Sequence, residues 1–357
     1  MFSAPFSSPT LIDLPTDKNI HFVNTYSPDS DVINKFSQVH NKIVVLLYLG
    51  EYHTYTWMEQ VLCTSKNYHK KTGRIDNYFV VLSCHRYPES LLKEYADYLS
   101  VIFVPSLYIY YTNIIAPAEI ARTKKTRHFL SLNSRASVNR QSLFYFFEKF
   151  SLLDRAYFSY LGDCRRSDFD SIESISKSIG KPWYAQHLDL AAVHQKIPLR
   201  IADDDFKDTD WGTGPDKFYQ DTFCSIITET YTAEPYPFFT EKTFKPVAYF
   251  HPFIIDCNPG GLQLLRDMGF KTFSAWWDES YDNLAGNHRL TAIFQLILEI
   301  GNWSIEKLNQ VTAEMQEVLV HNHNHFFTTL PAEFDQQHDS LVAQVIAIAD
   351  AKQELLG

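Results

Sequence analysis

The feature that most constrains the fold is a strand, loop, helix, strand, turn and helix pattern between residues 224 and 273. Two short apolar runs, 224–228 and 252–256, bracket a polar segment, and an Asn-Pro-Gly-Gly turn at 258–261 follows the second run at once. Short apolar runs punctuated by glycine and proline are typical of buried strands. Strands that alternate with helices predict a parallel, doubly wound α/β sheet, in which ligands bind beyond the carboxyl ends of the strands.

The same alternation extends over most of the chain. Short runs rich in Val, Ile and Phe recur and are separated by segments with helical character, so we predict further strands at 20–24, 42–49, 78–83, 101–105 and 128–133. The basic stretch 121–127 lies between two series of alternating strands and helices, and we predict that it is a solvated linker. We therefore predict a first Rossmann-like domain over 1–120, a second over 121–300, and C-terminal helices over 301–357 that pack across both.

Composition excludes several classes of protein. The 357 residues carry a net charge of −10, which argues against a broad nucleic-acid or anionic-membrane surface. Five scattered cysteines without a C-x-x-C pair indicate reduced thiols rather than a disulfide framework or a zinc site. No apolar run approaches the roughly 20 residues of a membrane span, and the N-terminus lacks a signal-peptide pattern. We therefore expect a cytoplasmic protein.

The segment between the two apolar runs carries residues that suit a nucleoside diphosphate. Thr240 is a candidate N-cap, and Glu241 and Lys242 follow it in the first helical turn. A carboxylate can accept both hydroxyls of a ribose, while an ammonium group and a helix N-terminus can bind phosphate oxygens. A solvated ion pair on a capped helix is the alternative. The residues that we predict to bind the ligand in this segment are Glu229, Thr240, Glu241, Lys242, Asn258 and Gly260.

These segments resemble the donor-site signature of the α1,3-fucosyltransferase family and of related bacterial and phage glycosyltransferases. The resemblance rests on 227–230 (Ile-Thr-Glu-Thr), 238–242 (Phe-Phe-Thr-Glu-Lys) and 252–255 (Pro-Phe-Ile-Ile), and it spans about half the chain. The Phe and Asn of the family's first element are absent. The family also has an arginine that opens a helix at the start of this domain, and Arg140 lies where that residue would fall.

The resemblance implies the GT-B architecture, in which two Rossmann-like domains face a cleft. It implies a glycosyltransferase that moves a sugar from a nucleoside-diphosphate sugar to a glycan or another hydroxyl acceptor, with inversion. With few glycines available to cradle phosphates, Arg140 and Lys242 would stabilise the leaving diphosphate. We expect neither a metal nor another cofactor.

Two other hypotheses about the function of the chain stay open. A transferase that acts on a hydroxymethylated DNA base is favoured by the basic cluster 122–127 and opposed by the acidic total. A non-catalytic protein that binds nucleotide sugars would keep the same pocket. The run Asp203–Asp205 could hold a divalent ion, although a hydrated acidic loop is the expectation.

The catalytic base should come from the first domain. An inverting transfer needs a group within hydrogen-bond reach of the attacking hydroxyl. Glu51 and His53 follow the predicted strand 42–49, and His85 follows the strand 78–83. We rank Glu51 first, since a carboxyl in an aromatic pocket can have a pKa near neutrality, then His53 and His85.

Overall fold

The structure is a computed structural model. It describes residues 20–25, 42–48, 66–67, 69–73, 75, 77–84, 87, 89–119, 123–165, 169–201, 216–230, 236–354 and 356. The chain divides into two compact units, one formed by Met1–Ile109 with Leu330–Gly357 and the other by Tyr110–Thr329. The C-terminal residues 301–357, which were predicted as one group of helices, belong partly to each unit. The predicted domain limits at 120 and 300 stay predictions.

The described residues form strands and helices in regular alternation. The strands are β1 (Ile20–Thr25), β2 (Lys42–Tyr48), β3 (Asn77–Ser83), β4 (Leu99–Phe103), β5 (Arg127–Arg135), β6 (Ala156–Asp163), β7 (Thr222–Thr228) and β8 (Phe253–Asp256). The helices are α1 (Glu89–Tyr95), α2 (Ser106–Ile114), α3 (Val138–Lys149), α4 (Ile172–Ile179), α5 (Leu190–His194), α6 (Asp216–Asp221), α7 (Glu241–Ala248), α8 (Gly261–Asp267), α9 (Gly286–Gly301), α10 (Ile305–Glu314), α11 (Gln316–Asn324) and α12 (Leu330–Gln353). The predicted α/β class is confirmed.

The first unit is built on a parallel sheet in the order β1-β2-β3-β4. Every residue of β3 is buried, as expected for a parallel strand that is covered on both faces. Helix α12 supplies Leu341 and Val345 to the same core as Val45 and Val80 of the sheet. The last helix of the chain therefore completes the core of the first unit.

The second unit is built on a parallel sheet in the order β6-β5-β7-β8. The chain leaves β5 to form β6 on one side and later returns to form β7 on the other side. The carboxyl ends of β5 and β7 therefore form a topological switch point, the place where open α/β sheets bind ligands. The predicted strands at 128–133, 224–228 and 252–256 are confirmed as β5, β7 and β8, whereas β6 was not predicted.

Local signals set the ends of α8 and α7. Gly269 has a positive φ of 91° just after α8, and Phe270 N donates to Leu265 O at 3.0 Å, which confirms the predicted glycine C-cap. Helix α7 contains Pro246, which removes a helical hydrogen bond and predicts a short or kinked helix. The helix ends two residues later, at Ala248. The single amphipathic helix predicted from residue 305 onward is interrupted at Met315, which separates α10 from α11.

The basic stretch 121–127 was predicted as a solvated linker, and its described residues Thr123, Lys124 and Thr126 are exposed, whereas Lys125 is not. Lys125 is buried, and its Nζ donates to Tyr219 O at 2.9 Å and Gln220 O at 3.1 Å. Burial lowers the pKa of Lys125 to about 8. The prediction of a solvated linker is wrong at this residue, because the ammonium group holds the carbonyls at the end of α6.

Two predictions from composition concern the thiols and the membrane. Within the described ranges, Cys164, Cys224 and Cys257 form no disulfide. In the same ranges, no helix combines the length and the apolar character that crossing a bilayer would require.

Candidate functional site

The candidate site lies at the carboxyl edge of the sheet of the second unit. There β5 leads into α3, β7 leads towards α7, and β8 leads into α8. Most of the side chains that the sequence predicts for ligand binding come from the first turns of these helices or from the strand ends. The sheet therefore brings together residues that are more than a hundred positions apart in the chain.

Helix α7 begins at a capped N-terminus. Thr240 is the N-cap in an extended conformation, and its Oγ1 accepts from Lys242 N at 3.4 Å. Thr240 is fully buried, so its hydroxyl serves to cap the helix within the protein interior. The N-cap predicted from sequence is confirmed.

Glu229 follows β7 and anchors this cap. One of its oxygens accepts from Thr240 N at 3.0 Å and from Thr243 Oγ1 at 2.6 Å. The other oxygen accepts from Thr240 Oγ1 at 2.6 Å. Both oxygens are therefore engaged by α7, and Glu229 fixes the helix against the end of β7. A direct contact of Glu229 with a ligand stays a prediction.

Glu241 and Lys242 form an ion pair in the first turn of α7. Lys242 Nζ lies 3.2 Å from Glu241 Oε1 and 3.0 Å from Thr240 Oγ1. The side chain of Lys242 is 30% exposed and that of Glu241 is 9% exposed. Burial alone would raise the pKa of the Glu241 carboxyl, but Lys242 and Lys245 together hold that pKa below its ordinary value. Glu241 is thus a charged hydrogen-bond acceptor beside an accessible ammonium group.

Arg140 is buried in the first turn of α3 and connects two strand ends. Its Nη1 donates to Arg135 O at 3.2 Å and its Nη2 donates to Thr228 O at 3.0 Å. Its Nε is buried without a hydrogen-bond partner among the described residues. Burial lowers the pKa of Arg140, while the carboxylates of Glu229 and Glu241 act in the opposite direction. The guanidinium therefore lies in the electrostatic reach of the α7 cluster.

Arg135 is a second cation at this edge, and sequence reasoning missed it. It is half-buried at the end of β5, where the register between β5 and β6 shifts between Asn133 and Arg135. Such irregularities are frequent next to active sites, because they redirect side chains. The signal in the sequence was the position of an arginine at the end of a predicted strand.

The turn after β8 is stabilised from within the protein. Asp282 accepts from Leu262 N and Gln263 N, each at 3.0 Å, and so occupies the N-terminus of α8. Gly260 N donates to Asp282 O at 2.8 Å, and Gly260 adopts a positive φ of 80°. The side chain of Asn258 is buried, and its Oδ1 has no partner in the described part of the chain. The first N–H groups of α8 thus already bind a carboxylate of the protein. Ligand contacts of Asn258 and Gly260 stay predictions.

Asp256, the last residue of β8, was also missed by sequence reasoning. Its Oδ2 accepts from Asn139 Nδ2 at 2.7 Å, a contact that joins the end of β8 to the first turn of α3. Burial raises the pKa of Asp256 to about 6, although Asn139, Arg289 and Arg140 act to lower it. An acidic residue that ends a short buried strand is the signal that could have found it.

Several predicted groups lie outside the described residues. These are the three candidate bases and the acidic run, namely Glu51, His53, His85 and Asp203–Asp205. Within the described ranges, no group of three His, Cys, Asp or Glu side chains is arranged to hold a metal ion.

The side chains and helix starts described at this edge of the sheet have the charges and hydrogen-bonding groups that a diphosphate ester requires. Arg140, Arg135 and Lys242 supply positive charge at the switch point between β5 and β7. Capped helix starts at α3 and α7 add oriented dipoles to the same edge. Glu241 offers acceptor oxygens that match a vicinal diol.

No protein-family model matches this chain, and no curated protein sequence does either. Among solved structures it is similar to a DNA-modifying β-glucosyltransferase, crystallised in the presence and absence of its substrate uridine diphosphoglucose. The identity is 12% and the TM-score is 0.41, over 91% of this chain and 99% of the other.

Proposed function

We propose that this chain is a glycosyltransferase that moves a sugar from a nucleoside-diphosphate sugar to a hydroxyl acceptor. One observation carries the proposal: the Glu241–Lys242 pair opens α7 at the same sheet edge as Arg140, with Lys242 partly exposed. Under this proposal Glu241 would accept the ribose hydroxyls, and Lys242 and Arg140 would supply positive charge to the phosphates. Two parallel α/β units are also what the GT-B architecture requires.

The donor would bind with its ribose at Glu241 and its diphosphate at the cations. Glu241 is charged and nearly buried, so its oxygens can accept both ribose hydroxyls with little competition from water. Lys242 can turn its ammonium group from Glu241 to a phosphate oxygen, since it is the more exposed partner of the pair. Arg140 adds charge from the neighbouring helix.

The reaction would be a single displacement with inversion. The acceptor oxygen bonds to the anomeric carbon, the bond from that carbon to the diphosphate oxygen breaks, and a base takes the proton of the acceptor. Negative charge grows on the leaving diphosphate, and preorganised cations there are usually the largest catalytic contribution. Glu51, His53 and His85 stay the predicted candidates for the base.

The acceptor is best sought among hydroxyl compounds without a polyanionic backbone. The net charge of −10 opposes the broad electrostatic attraction that duplex DNA requires. Hydroxymethylated duplex DNA should be included in the acceptor screen as the competing substrate. Tight duplex binding that weakens steeply with salt would favour the DNA-modifying alternative.

The donor assignment can be tested by thermal stability and substitution. A panel of UDP, GDP and CDP sugars should contain one that stabilises the protein, by about 2.7 kcal/mol at 100 times its Kd. Lys242→Ala should lower kcat/KM for transfer or donor hydrolysis by about 10²–10³, the usual effect of removing a group that stabilises developing charge. Lys177→Ala, an exposed lysine on α4, is the matched control. Wild-type activity in Lys242→Ala would refute the phosphate assignment.

Metal dependence provides a separate test. We expect transfer to persist in EDTA, because side chains and helix starts supply the positive charge at the diphosphate. Strict dependence on Mg²⁺ or Mn²⁺ would contradict this mechanism and would direct attention to Asp203–Asp205.

A further inference from the structure

The carboxyl of Asp256 is buried close to the candidate site, and the proposed reaction gives it no role. Asp256 is 5% exposed, and among the described residues no donor other than Asn139 reaches its side chain. Its own carbonyl accepts from Glu229 N at 2.9 Å, which fixes the residue against the end of β7. Asp256 therefore joins the starts of two ligand-side segments, α3 and the loop that leads to α7.

The charged groups around Asp256 come from three elements. The positive charges of Arg289 on α9 and of Arg140 on α3 both act to lower the pKa of Asp256. Arg289 already lies 3.5 Å from Asp282, and the carboxylate of Glu229 after β7 is engaged by α7. Arg289 is paired with Asp282, whereas Arg140 lies in the first turn of α3 at the ligand-side edge, so Arg140 is the cation that Asp256 can share with a ligand.

The pKa of the Asp256 carboxyl is close to neutral pH. Burial raises its pKa to about 6, and the bond from Asn139 and the two arginines only partly oppose that effect. The neighbouring Cys257 adds no charge, because burial raises the pKa of its thiol. The free protein therefore carries an ionised Asp256 at neutral pH that is easily protonated.

We propose that Asp256 is a positioning residue that takes up a proton when a nucleoside-diphosphate sugar binds beside Arg140, so that donor binding is linked to protonation. This inference rests on the proposed function. An ionised Asp256 competes with the diphosphate for Arg140 and repels it. A protonated Asp256 removes the repulsion and still accepts from Asn139, so the start of α3 keeps its position.

The sign of the linkage follows from the charges. A bound diphosphate disfavours the ionised carboxyl, so the complex holds the proton to a higher pH than the free protein, where the pKa is about 6. Below that pH the donor should bind most tightly. Above it the affinity should fall, by at most about tenfold per pH unit for a single linked proton, until the pKa of the complex is reached.

Calorimetric titration with sugar nucleotides can measure this linkage directly. Each phosphorus of a sugar nucleotide carries one ester bond, one anhydride bond and a single acidic oxygen. The probe therefore lacks the second phosphate ionisation near pH 6 and keeps a constant double negative charge between about pH 5.5 and 8. UDP-glucose, GDP-fucose and CDP-glucose should be titrated in buffers with different ionisation enthalpies. The wild type should take up a measurable fraction of a proton per donor near neutral pH, at most one, with a Kd that rises with pH.

The variant Asp256→Asn keeps an oxygen acceptor for Asn139 and cannot titrate. Its donor affinity should be nearly independent of pH, with no proton uptake. Asp335→Asn, an exposed carboxylate on α12, should behave as the wild type does. If Asp256→Asn fails to fold, the inference can still be overturned, because it predicts proton uptake by the wild type and an affinity that begins to fall above a pH of about 6.

The possible outcomes separate this inference from the proposed function. Donor binding by the wild type without proton uptake, or with uptake that persists in Asp256→Asn, overturns the inference and leaves the function standing. If no sugar nucleotide binds at any pH, the proposed function fails and the inference fails with it.

Discussion

At the scale of single residues, burial decides what a polar group can do. The sequence predicts Glu229, Glu241 and Lys242 as equivalent ligand-binding residues, because all three lie near strand ends or a helix start. In the structure both oxygens of Glu229 accept hydrogen bonds from Thr240 or Thr243, while the side chain of Lys242 is partly exposed. A carboxylate with three protein donors is part of the scaffold that positions the binding residues.

Replacement of Glu229 should therefore act mainly on stability. Glu229→Ala leaves a backbone N–H and two hydroxyl groups buried without their acceptor, and it should lower the free energy of unfolding by about 3 kcal/mol. Urea unfolding of the variant and of Glu173→Ala, an exposed carboxylate on α4, provides the comparison. A loss below about 1 kcal/mol, the net value of one ordinary hydrogen bond, would contradict the anchoring role.

At the scale of elements, the start of α8 depends on a residue from a distant turn. Asp282 accepts from two backbone N–H groups of α8 and pairs with the buried Arg289. Arg289 in turn donates to Tyr281 O at 2.7 Å and Ile255 O at 3.3 Å. One carboxylate thus links α8, α9 and the end of β8.

Removal of this carboxylate should be costly. Asp282→Ala uncaps α8 and leaves Arg289 as a buried charge without its counter-ion, for which the expected loss of stability is about 3–5 kcal/mol. Asp278→Ala is the matched control, because Asp278 is exposed and its hydrogen bonds reach only Ser280. Thermal unfolding of both variants would test the assignment, and similar losses would show that Asp282 is not a special cap.

At the scale of the whole molecule, the chain forms the first unit from both of its ends. Residues Tyr110–Thr329 are continuous, whereas the first unit needs α12 from the far end of the chain. Leu341, Val345 and Ala349 of α12 belong to the core that covers β2 and β3. The two units should therefore differ in whether they fold as simple fragments.

A fragment of residues 110–329 should fold cooperatively and bind a sugar nucleotide, because every described contact of the candidate site lies within it. A fragment of residues 1–109 should not fold, because one face of its sheet would lose the apolar cover of α12. Circular dichroism and denaturant unfolding of both fragments would check this. A cooperative transition in the 1–109 fragment would contradict the role of α12.

What the sequence by itself determined was local. Apolar runs, the Thr240 cap, Pro246 and Gly269 predict strands, helix starts and helix ends correctly, because these signals act between residues a few positions apart. The alternation of those elements was sufficient to predict the parallel α/β class.

Only the tertiary structure decided which polar groups meet. Asp256 and Asn139 are 117 positions apart, and Asp282 lies 20 positions from the N–H of Leu262 that it caps. Lys125 is buried although it belongs to a basic stretch of the sequence, because its ammonium group binds carbonyl groups at the end of α6. Such pairs have no local signature, since packing of the sheet and its helices sets both the distance between the partners and their burial. Burial then determines which charged group anchors the fold and which remains open to a ligand.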